Sequence, residues 1–174
     1  MGSIILKKLS ADPKVKKFNR RITEGDFSID TSKYMEELDR MHATRNIRLL
    51  TKKDVLHNAQ SKIVDALIQN QAYRSRCVEI KMICYRTQQS IEQYRESLIN
   101  YLRIQYRAEL GAYKTNSERD SAICSVLDDS ELITSQLDVI LEISDLIIND
   151  IDQASWAIKS LVEVLKLASK PETI

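Results

Sequence analysis

The sequence predicts an all-α protein built on a long, coiled-coil-like antiparallel helical hairpin with additional shorter helices. Its 174 residues include only 3 glycines and 2 prolines, and neither type occurs between Asp26 and Leu110. Folds that contain sheets need many turns, which use these residue types, so their scarcity favours helices. Two long stretches also carry apolar residues at alternating three- and four-residue intervals, which is typical of helices packed along a seam.

Residues 1–28 are predicted to be a basic N-terminal arm, and residues 29–174 to be the helical domain. The arm mixes lysines and arginines with Pro13 and Gly25 and shows no clear apolar period. A basic arm often contacts phosphate groups, although a solvated terminus has the same composition. If the arm binds nucleic acid, the contacts come from Lys14, Lys16, Lys17, Arg20 and Arg21.

The first helix of the domain is predicted to begin at the capping residues Asp30, Thr31 and Ser32 and to end near Leu50. A second, very long stretch follows from about residue 54 to the C-cap at Gly111, either as one helix or with a break near residues 69–71. Its seam is apolar or aromatic at thirteen of sixteen positions. These positions are Leu56, Ala59, Ile63, Ala66, Asn70, Tyr73, Cys77, Ile80, Cys84, Thr87, Ile91, Tyr94, Leu98, Tyr101, Gln105 and Ala108.

A turn near Gly111 leads to a predicted short helix and then to a final long helix. Thr115 and Glu118 stand at the spacing of a capping box, and Asp128 begins a run of capping residues. The final helix is predicted to end before Pro171, and its seam is apolar at ten of eleven positions. Those positions are Ile133, Leu137, Ile140, Ser144, Ile147, Ile151, Ala154, Ile158, Leu161, Leu165 and Ala168.

The apolar stripe of the final helix is wider than a two-stranded seam requires. Val139, Ile143 and Leu146 extend it to one side, so this helix should be buried against more than one neighbour. A hairpin has few elements to cover such a stripe, and we therefore expect a homo-oligomer. The residues predicted at its interface are Ile140, Ile147, Ile151, Ile158, Leu161 and Leu165.

Positive and negative charges are segregated along the chain, although the net charge is only +1. Residues 45–107 carry twelve basic and five acidic side chains, whereas residues 116–174 carry four and twelve. The first 24 residues are also basic. Such segregation indicates a surface for a polyanion, an acidic surface for a partner, or head-to-tail self-association. A basic and an acidic helix lying side by side in one domain would have the same pattern.

Four Tyr-Arg dipeptides lie on the long basic stretch. The register places Tyr73 and Tyr94 on the seam, each with its arginine at the flank. Tyr85 and Tyr106 fall off the seam on a common face, where tyrosine beside arginine suits base stacking and phosphate contact with a single strand. Contact with another subunit is the alternative. The residues of this stretch predicted to bind nucleic acid are Lys81, Tyr85, Arg86, Arg95, Arg103, Tyr106 and Arg107.

The sequence carries no pattern that indicates catalysis, a metal or a cofactor, and we expect a non-enzymatic protein. His42 and His57 are isolated, and neither a glycine-rich phosphate loop nor a nucleophile elbow occurs. The 3 cysteines match no zinc or redox spacing, so free thiols in a reducing, cytoplasmic location are expected. No apolar run approaches the ~20 residues of a membrane span.

The second half of the chain, from about Val78 to Leu167, resembles the UvsY-type recombination mediators of tailed phages. A long basic helix ends in YRAELGAY, a short polar helix follows in SERDSAICSVLDDSEL, and an amphipathic helix contains IDQASWAIKSLVEVL. The basic N-terminal arm and the longer central helix depart from that pattern. The resemblance implies a ring-like helical oligomer that binds single-stranded DNA, contacts the recombinase and the single-strand-binding protein, and assists recombinase loading. The competing hypothesis is a structural coiled-coil protein of a phage particle or another multi-subunit complex.

Overall fold

The computed structural model describes residues 2–45 and 60–168, and the regular elements within them are α-helices. The all-α prediction is therefore confirmed for this part of the chain. The helices described are α1 (Gly2–Ala11), α2 (Pro13–Glu24), α3 (Thr31–Thr44), α4 (Gln60–Gln105), α5 (Arg107–Leu110), α6 (Asn116–Cys124) and α7 (Asp128–Ala168). None of these helices is long and apolar enough to cross a membrane.

The helix ends agree with the sequence at α6 and differ at the end of α4. Thr115 and Glu118 form the predicted capping box, with both reciprocal hydrogen bonds in place. α4 has no break near residues 69–71, but it ends at Gln105 rather than continuing to Gly111. Tyr106 interrupts the helix with φ −108° and ψ 26°, and the short α5 follows it.

Some of the predicted features fall on residues 46–59, which lie outside the described residues. These features are the continuation of the first helix to Leu50, the start of the next helix near Asp54, and the seam positions Leu56 and Ala59.

The chain divides into two compact units, each built from segments that are distant in sequence. The first unit contains residues 1–31 and 83–139, and the second contains residues 32–82 and 140–174. α4 and α7 each contribute one segment to both units. The N-terminal residues thus belong to a unit with residues 83–139, which differs from the predicted division into an arm and a single domain.

α4 and α7 run antiparallel, and polar contacts recur along their flank. Each step of seven residues up α4 is matched by a step of seven residues down α7, which is the register of an antiparallel heptad pair. Two such contacts lie in the second unit and two in the first. They are Arg74–Asp152, Lys81–Asp145, Gln88–Asp138 and Arg95–Glu131. The predicted antiparallel hairpin is therefore present.

The core of the first unit joins the N-terminal segment to α4. Val15, Phe18 and Ile22 repeat at helical spacing along α2 and are buried. The ring of Phe18 stacks on Tyr94 with centroids 5.2 Å apart, and Phe27 packs edge-on against both rings. Burial of these side chains holds α2 against the long helix. The N-terminal segment is therefore packed rather than a solvated arm, and the lysines and arginines between its apolar residues obscure their period in the sequence.

In the second unit, α3 packs against α4 through apolar contacts and one strong ion pair. Met41 of α3 is buried, and its Sδ lies 4.0 Å from Cys77 Sγ. Arg76 binds both carboxylate oxygens of Glu37, at 2.7 Å and 3.0 Å. Bidentate pairing of this kind restricts the relative positions of two helices more than a single contact does.

The predicted seam of α7 is confirmed over its middle part. The buried positions are Leu137, Ile140, Ser144, Ile147, Ile151, Ala154 and Ile158. Ser144 is the one polar residue among them, and its hydroxyl donates to the backbone carbonyl of Ile140 at 2.7 Å. The hydroxyl is therefore accommodated inside the seam without an unsatisfied donor.

The predicted seam of α4 holds as far as Leu98 and then shifts by one residue. Beyond it Leu102 is fully buried, whereas the predicted position Gln105 is exposed. A straight α-helix drifts ~20° per heptad against a strict seven-residue repeat. Five heptads of drift amount to roughly 100°, the angle between consecutive residues. The tyrosines predicted for this seam are half-buried: Tyr73, Tyr94 and Tyr101.

Candidate nucleic-acid interface

Three of the cations predicted to bind nucleic acid are held by acidic side chains of neighbouring helices. These pairs are Lys81–Asp145, Arg95–Glu131 and Arg103–Asp120. All three are partly exposed, so each pair stabilises the fold by at most ~1 kcal/mol. Their positive charge is nonetheless neutralised close by, which weakens their attraction for a distant phosphate. Part of the charge segregation in the sequence therefore reflects a basic helix that packs against acidic ones.

Tyr85 and Tyr106, predicted to share an exposed face, lie in different environments. Tyr85 is 58% exposed and stands beside the exposed Arg86. Tyr106 is half-buried, and its hydroxyl donates to Asp12 Oδ2 at 2.9 Å. The common face does not form because the helix ends at Gln105 and the Tyr106 side chain contacts the N-terminal segment. Only Tyr85 keeps a ring surface of this pair open for stacking.

Asp12 links the first turn of α2 to the end of α4. Its carboxylate accepts the backbone N–H of Lys14 at 2.7 Å and the hydroxyls of Tyr106 at 2.9 Å and Tyr101 at 3.3 Å. Burial raises the pKa of this carboxyl, but its hydrogen bonds outweigh burial, so the net pKa lies below its usual value. Burial and the bond to Asp12 raise the pKa of Tyr106 to about 12. This network fixes the position of α2 and of its basic face.

Two cations of α2 contact aromatic rings, the half-buried Arg21 and the exposed Lys14. The Arg21 guanidinium lies 4.1 Å from the ring centre of Phe27 and pairs with Asp26 at 3.1 Å. Lys14 Nζ lies 3.6 Å from the ring centre of Tyr101. Cation–π contacts of this kind hold a charge in place without neutralising it.

The remaining cations of α2 lie on its exposed face. Arg20 forms a surface ion pair with Glu24 at 3.4 Å. Lys16 and Lys17 are exposed, and neither forms an ion pair with the residues that the structure describes. These two lysines are therefore the predicted N-terminal contacts that neither pair with an acid nor rest on a ring.

An open groove of about 540 Å³ lies between α2 and α4 in the first unit, and we call it the α2–α4 groove. Its cations are Arg21 and Arg86, and its acid is Asp26. Arg86 forms no ion pair within the described part of the chain. The groove is lined by Arg21, Asp26, Phe27, Arg86, Thr87, Ser90, Gln93, Tyr94 and Ser97. Hydroxyl and amide groups thus lie beside a free guanidinium, a combination suited to phosphate and sugar oxygens.

A line of exposed polar residues continues from this groove along α4, and we call it the polar stripe. It consists of Arg86, Ser90, Gln93, Ser97 and Asn100, all exposed. Spacings of three and four residues place them on one face of the helix. The line contains no acidic residue, and it extends about 20 Å at 1.5 Å per residue. It offers hydrogen bonds to a strand, while Asp26 in the adjoining groove and the exposed Glu96 place negative charge at its edges.

Beyond the polar stripe lies a second cavity, of about 330 Å³, which we call the arginine pocket. Its lining residues are Arg103, Arg107, Leu110, Asn116, Arg119 and Asp120. Three guanidinium groups face a single carboxylate there, which leaves the pocket with a charge of +2. Because α4, α5 and α6 all supply residues, the sequence brings this pocket together only through the turn between Leu110 and Thr115.

The sequence predicts the arginines of α4 but not the other parts of these sites. Ser90, Gln93 and Ser97 carry no charge and therefore do not contribute to the charge pattern, although their helical spacing beside the seam is visible in the sequence. Arg119 was missed because it lies in a segment that is acidic overall. The placement of Arg21 over two aromatic rings has no signal in the sequence.

Four of the predicted oligomer-interface residues are buried in the core of the chain itself. Ile140, Ile147 and Ile151 are at most 1% exposed, and Ile158 is 9% exposed. Leu161 is 42% exposed and remains accessible. The side chain of Leu165 lies outside the described residues. An interface with another copy would therefore have to use Leu161 and other exposed side chains.

The cysteines are free thiols, and two of them are buried in the seam. Burial raises the pKa of Cys77 and of Cys84 to about 11 each. Their thiols therefore stay protonated near neutral pH and act as packing groups. Within residues 2–45 and 60–168, no cluster of three or more histidine, cysteine or acidic residues is arranged to hold a metal ion.

Comparison with known proteins gives no match: no protein-family model, no curated protein and no solved structure is similar to this chain. The chemistry of the α2–α4 groove, the polar stripe and the arginine pocket is therefore the basis on which a function can be inferred.

Proposed function

We propose that the protein is a non-enzymatic, single-stranded nucleic-acid-binding protein whose strand lies along the polar stripe of the first unit. The observation that carries the proposal is an exposed line of uncharged polar side chains on α4, which begins at Arg86 and leads to the arginine pocket. Phosphates would contact Arg86, while the neutral side chains of the stripe bond to phosphate and sugar oxygens.

Tyr85 supports the choice of a single strand over a duplex. Its ring is 58% exposed and adjoins Arg86. An unpaired base can stack on such a ring while the neighbouring guanidinium binds the phosphate, and this arrangement tolerates any sequence. A duplex keeps its bases stacked on one another and would leave the ring unused.

Single-stranded DNA and a role in recombination follow from the resemblance to the UvsY-type mediators. On this proposal the protein assists recombinase loading in the cytoplasm of the host cell, as an oligomer that contacts the recombinase or the single-strand-binding protein. Free thiols suit that reducing compartment. The exposed Glu142 and Glu163 of α7 offer charges for a protein partner.

Fluorescence anisotropy with a labelled single-stranded oligonucleotide of mixed sequence tests the proposal. The full chain, Arg86→Gln and the matched control Arg40→Gln are titrated at low and near-physiological salt. Arg40 is an exposed arginine of α3 in the other unit. We expect binding by the full chain and the control, and a salt slope lower by about 0.7 in Arg86→Gln, the value for one phosphate contact on a single strand. Equal salt slopes for all three proteins would show that the strand does not contact Arg86.

A second candidate function is structural assembly, in a phage particle or another multi-subunit complex. It is favoured by large apolar side chains that stay exposed on α7 in the second unit: Trp156 at 72%, Val164 at 60% and Leu146 at 59%. Sedimentation velocity distinguishes this candidate. Trp156→Ser should lower the mass of an oligomer formed through this face, whereas Ile104→Ser, at a 79% exposed position on α4, should not.

A further inference from the structure

We propose that the arginine pocket is a binding site for a phosphate monoester in its dianionic form. A second step identifies the ligand and rests on the proposed function: the ligand is the terminal phosphate of a nucleic-acid strand. The phosphate site itself is formed by described residues of the first unit and does not depend on that step.

Two of the three guanidinium groups are held in position by neighbouring side chains. Arg103 is fixed by Asp120, with both contacts at 3.0 Å. Arg119 donates to Asn116 Oδ1 at 3.1 Å and to the carbonyl of Tyr113 at 3.2 Å. Groups fixed in advance lose little conformational freedom when an anion binds.

The pocket leaves hydrogen-bond donors without protein partners. Arg119 Nε is buried and has no partner, a state that costs free energy unless a ligand or water accepts the proton. Arg107 is exposed and forms no ion pair with any residue that the structure describes. Arg107 also lines the same pocket as Arg103, so that two like charges are close together. An oxyanion in the pocket would pair with Arg107 and relieve this repulsion.

The charge of the pocket favours a monoester over a diester. Three arginines against one aspartate leave +2. A phosphate monoester carries about −1.5 to −2 at neutral pH, because its second pKa is near 6. A phosphodiester within a strand carries a single negative charge and would leave the site half compensated. Bidentate guanidinium contacts also match the oxygens of a terminal phosphate.

The size of the pocket allows more than a bare phosphate ion. A phosphate fills only a few times the roughly 30 Å³ that one water molecule takes up in the liquid, whereas the cavity measures about 330 Å³. Leu110 supplies an apolar wall against which a sugar or base can pack. The pocket therefore fits a terminal nucleotide as well as its phosphate.

Thermal unfolding with inorganic phosphate tests the site without any nucleic acid. A ligand that binds only the folded state raises the unfolding midpoint. We expect phosphate at pH 7.5 to raise the midpoint of the full chain more than chloride at equal ionic strength does. The excess should disappear in Arg107→Gln, whose exposed side chain is not needed for folding, and persist in Arg40→Gln. If phosphate raised the unfolding midpoint of all three proteins by the same excess over chloride, the arginine pocket would not be the phosphate site.

Oligonucleotide ends test the second step and separate it from the proposed function. The same strand is compared with a 5′-phosphate, a 3′-phosphate and free hydroxyl ends. We expect one phosphorylated form to bind about tenfold more tightly, the effect of a charge-assisted hydrogen bond, and Arg119→Gln or Arg107→Gln to abolish the difference. Equal binding of all three strands refutes the terminal phosphate but leaves strand binding intact. A phosphate-dependent midpoint without strand binding refutes the proposed function and leaves a site for free phosphate compounds.

Discussion

Tyr106 donates a hydrogen bond to Asp12 Oδ2 at 2.9 Å, across 94 residues of sequence. The tyrosine stands at the break between α4 and α5, and the aspartate caps α2. This contact joins the break between α4 and α5 to the N-terminal segment, whose apolar side chains are buried against α4. It also sets the position of the cations beside the proposed strand-binding face.

Replacing Asp12 should destabilise the first unit. Asp12→Ala removes a helix N-cap and leaves the hydroxyls of Tyr101 and Tyr106 without their acceptor. We expect a loss of about 2–4 kcal/mol in the free energy of unfolding, measured by urea denaturation. Tyr106→Phe removes only one of these bonds and should cost about 1 kcal/mol. Equal losses for the two variants would show that the carboxylate contributes nothing beyond the Tyr106 bond.

Stability should fall between about pH 10 and pH 12 through the titration of Tyr106. Its pKa is raised from 10.0 to about 12 in the folded protein, so the folded state favours the protonated phenol. The contribution of the protonated Tyr106 hydroxyl to the free energy of unfolding is complete below pH 10 and is lost as pH rises through the folded pKa. The unfolding free energies of the full chain and of Tyr106→Phe should therefore converge over this window. A constant difference across the window would contradict the assignment.

The ion pair between Lys81 and Asp145 should contribute to the pairing of α4 with α7. Lys81 Nζ lies 2.5 Å from Asp145 Oδ1. Lys81→Glu should lower the unfolding free energy by about 1 kcal/mol, since it replaces attraction by repulsion. The charge swap Lys81→Glu with Asp145→Lys should recover most of this loss in a double-mutant cycle. A swap no more stable than Lys81→Glu alone would mean that the two side chains do not interact.

Ile147 and Leu146 are neighbours on α7 with opposite environments. Ile147 is fully buried and Leu146 is 59% exposed. Ile147→Ala should cost about 2–5 kcal/mol of unfolding free energy by urea denaturation, because it leaves a cavity in the seam. Leu146→Ala should cost less than about 0.5 kcal/mol in a monomer. A large cost for Leu146→Ala that depends on protein concentration would instead indicate that this face is covered by another copy.

The seams could be predicted from sequence because their period is dense and uninterrupted, as the buried series from Leu137 to Ile158 illustrates. The packing of the N-terminal segment could not be predicted in this way, since Val15, Phe18 and Ile22 are only three apolar positions among many charged residues. The break at Tyr106 coincides with a hydrogen bond to a partner 94 residues away, and such a distant contact has no local signal. The arginine pocket depends in the same way on a turn that brings Arg119 to Arg107.

The exposed lysines of α2 should contribute to binding of a single strand if it crosses this face. Deleting the first 24 residues would be a poor test, because Leu9 and Phe18 belong to the core and the first unit would lose stability. Lys16→Gln with Lys17→Gln removes two exposed charges and should leave the unfolding free energy within about 0.5 kcal/mol. In anisotropy titrations across salt concentrations, the slope should fall by about 1.4, the value for two phosphate contacts on a single strand. An unchanged slope, together with the reduced slope expected for Arg86→Gln, would confine the strand to the polar stripe and leave these lysines as solvated charges.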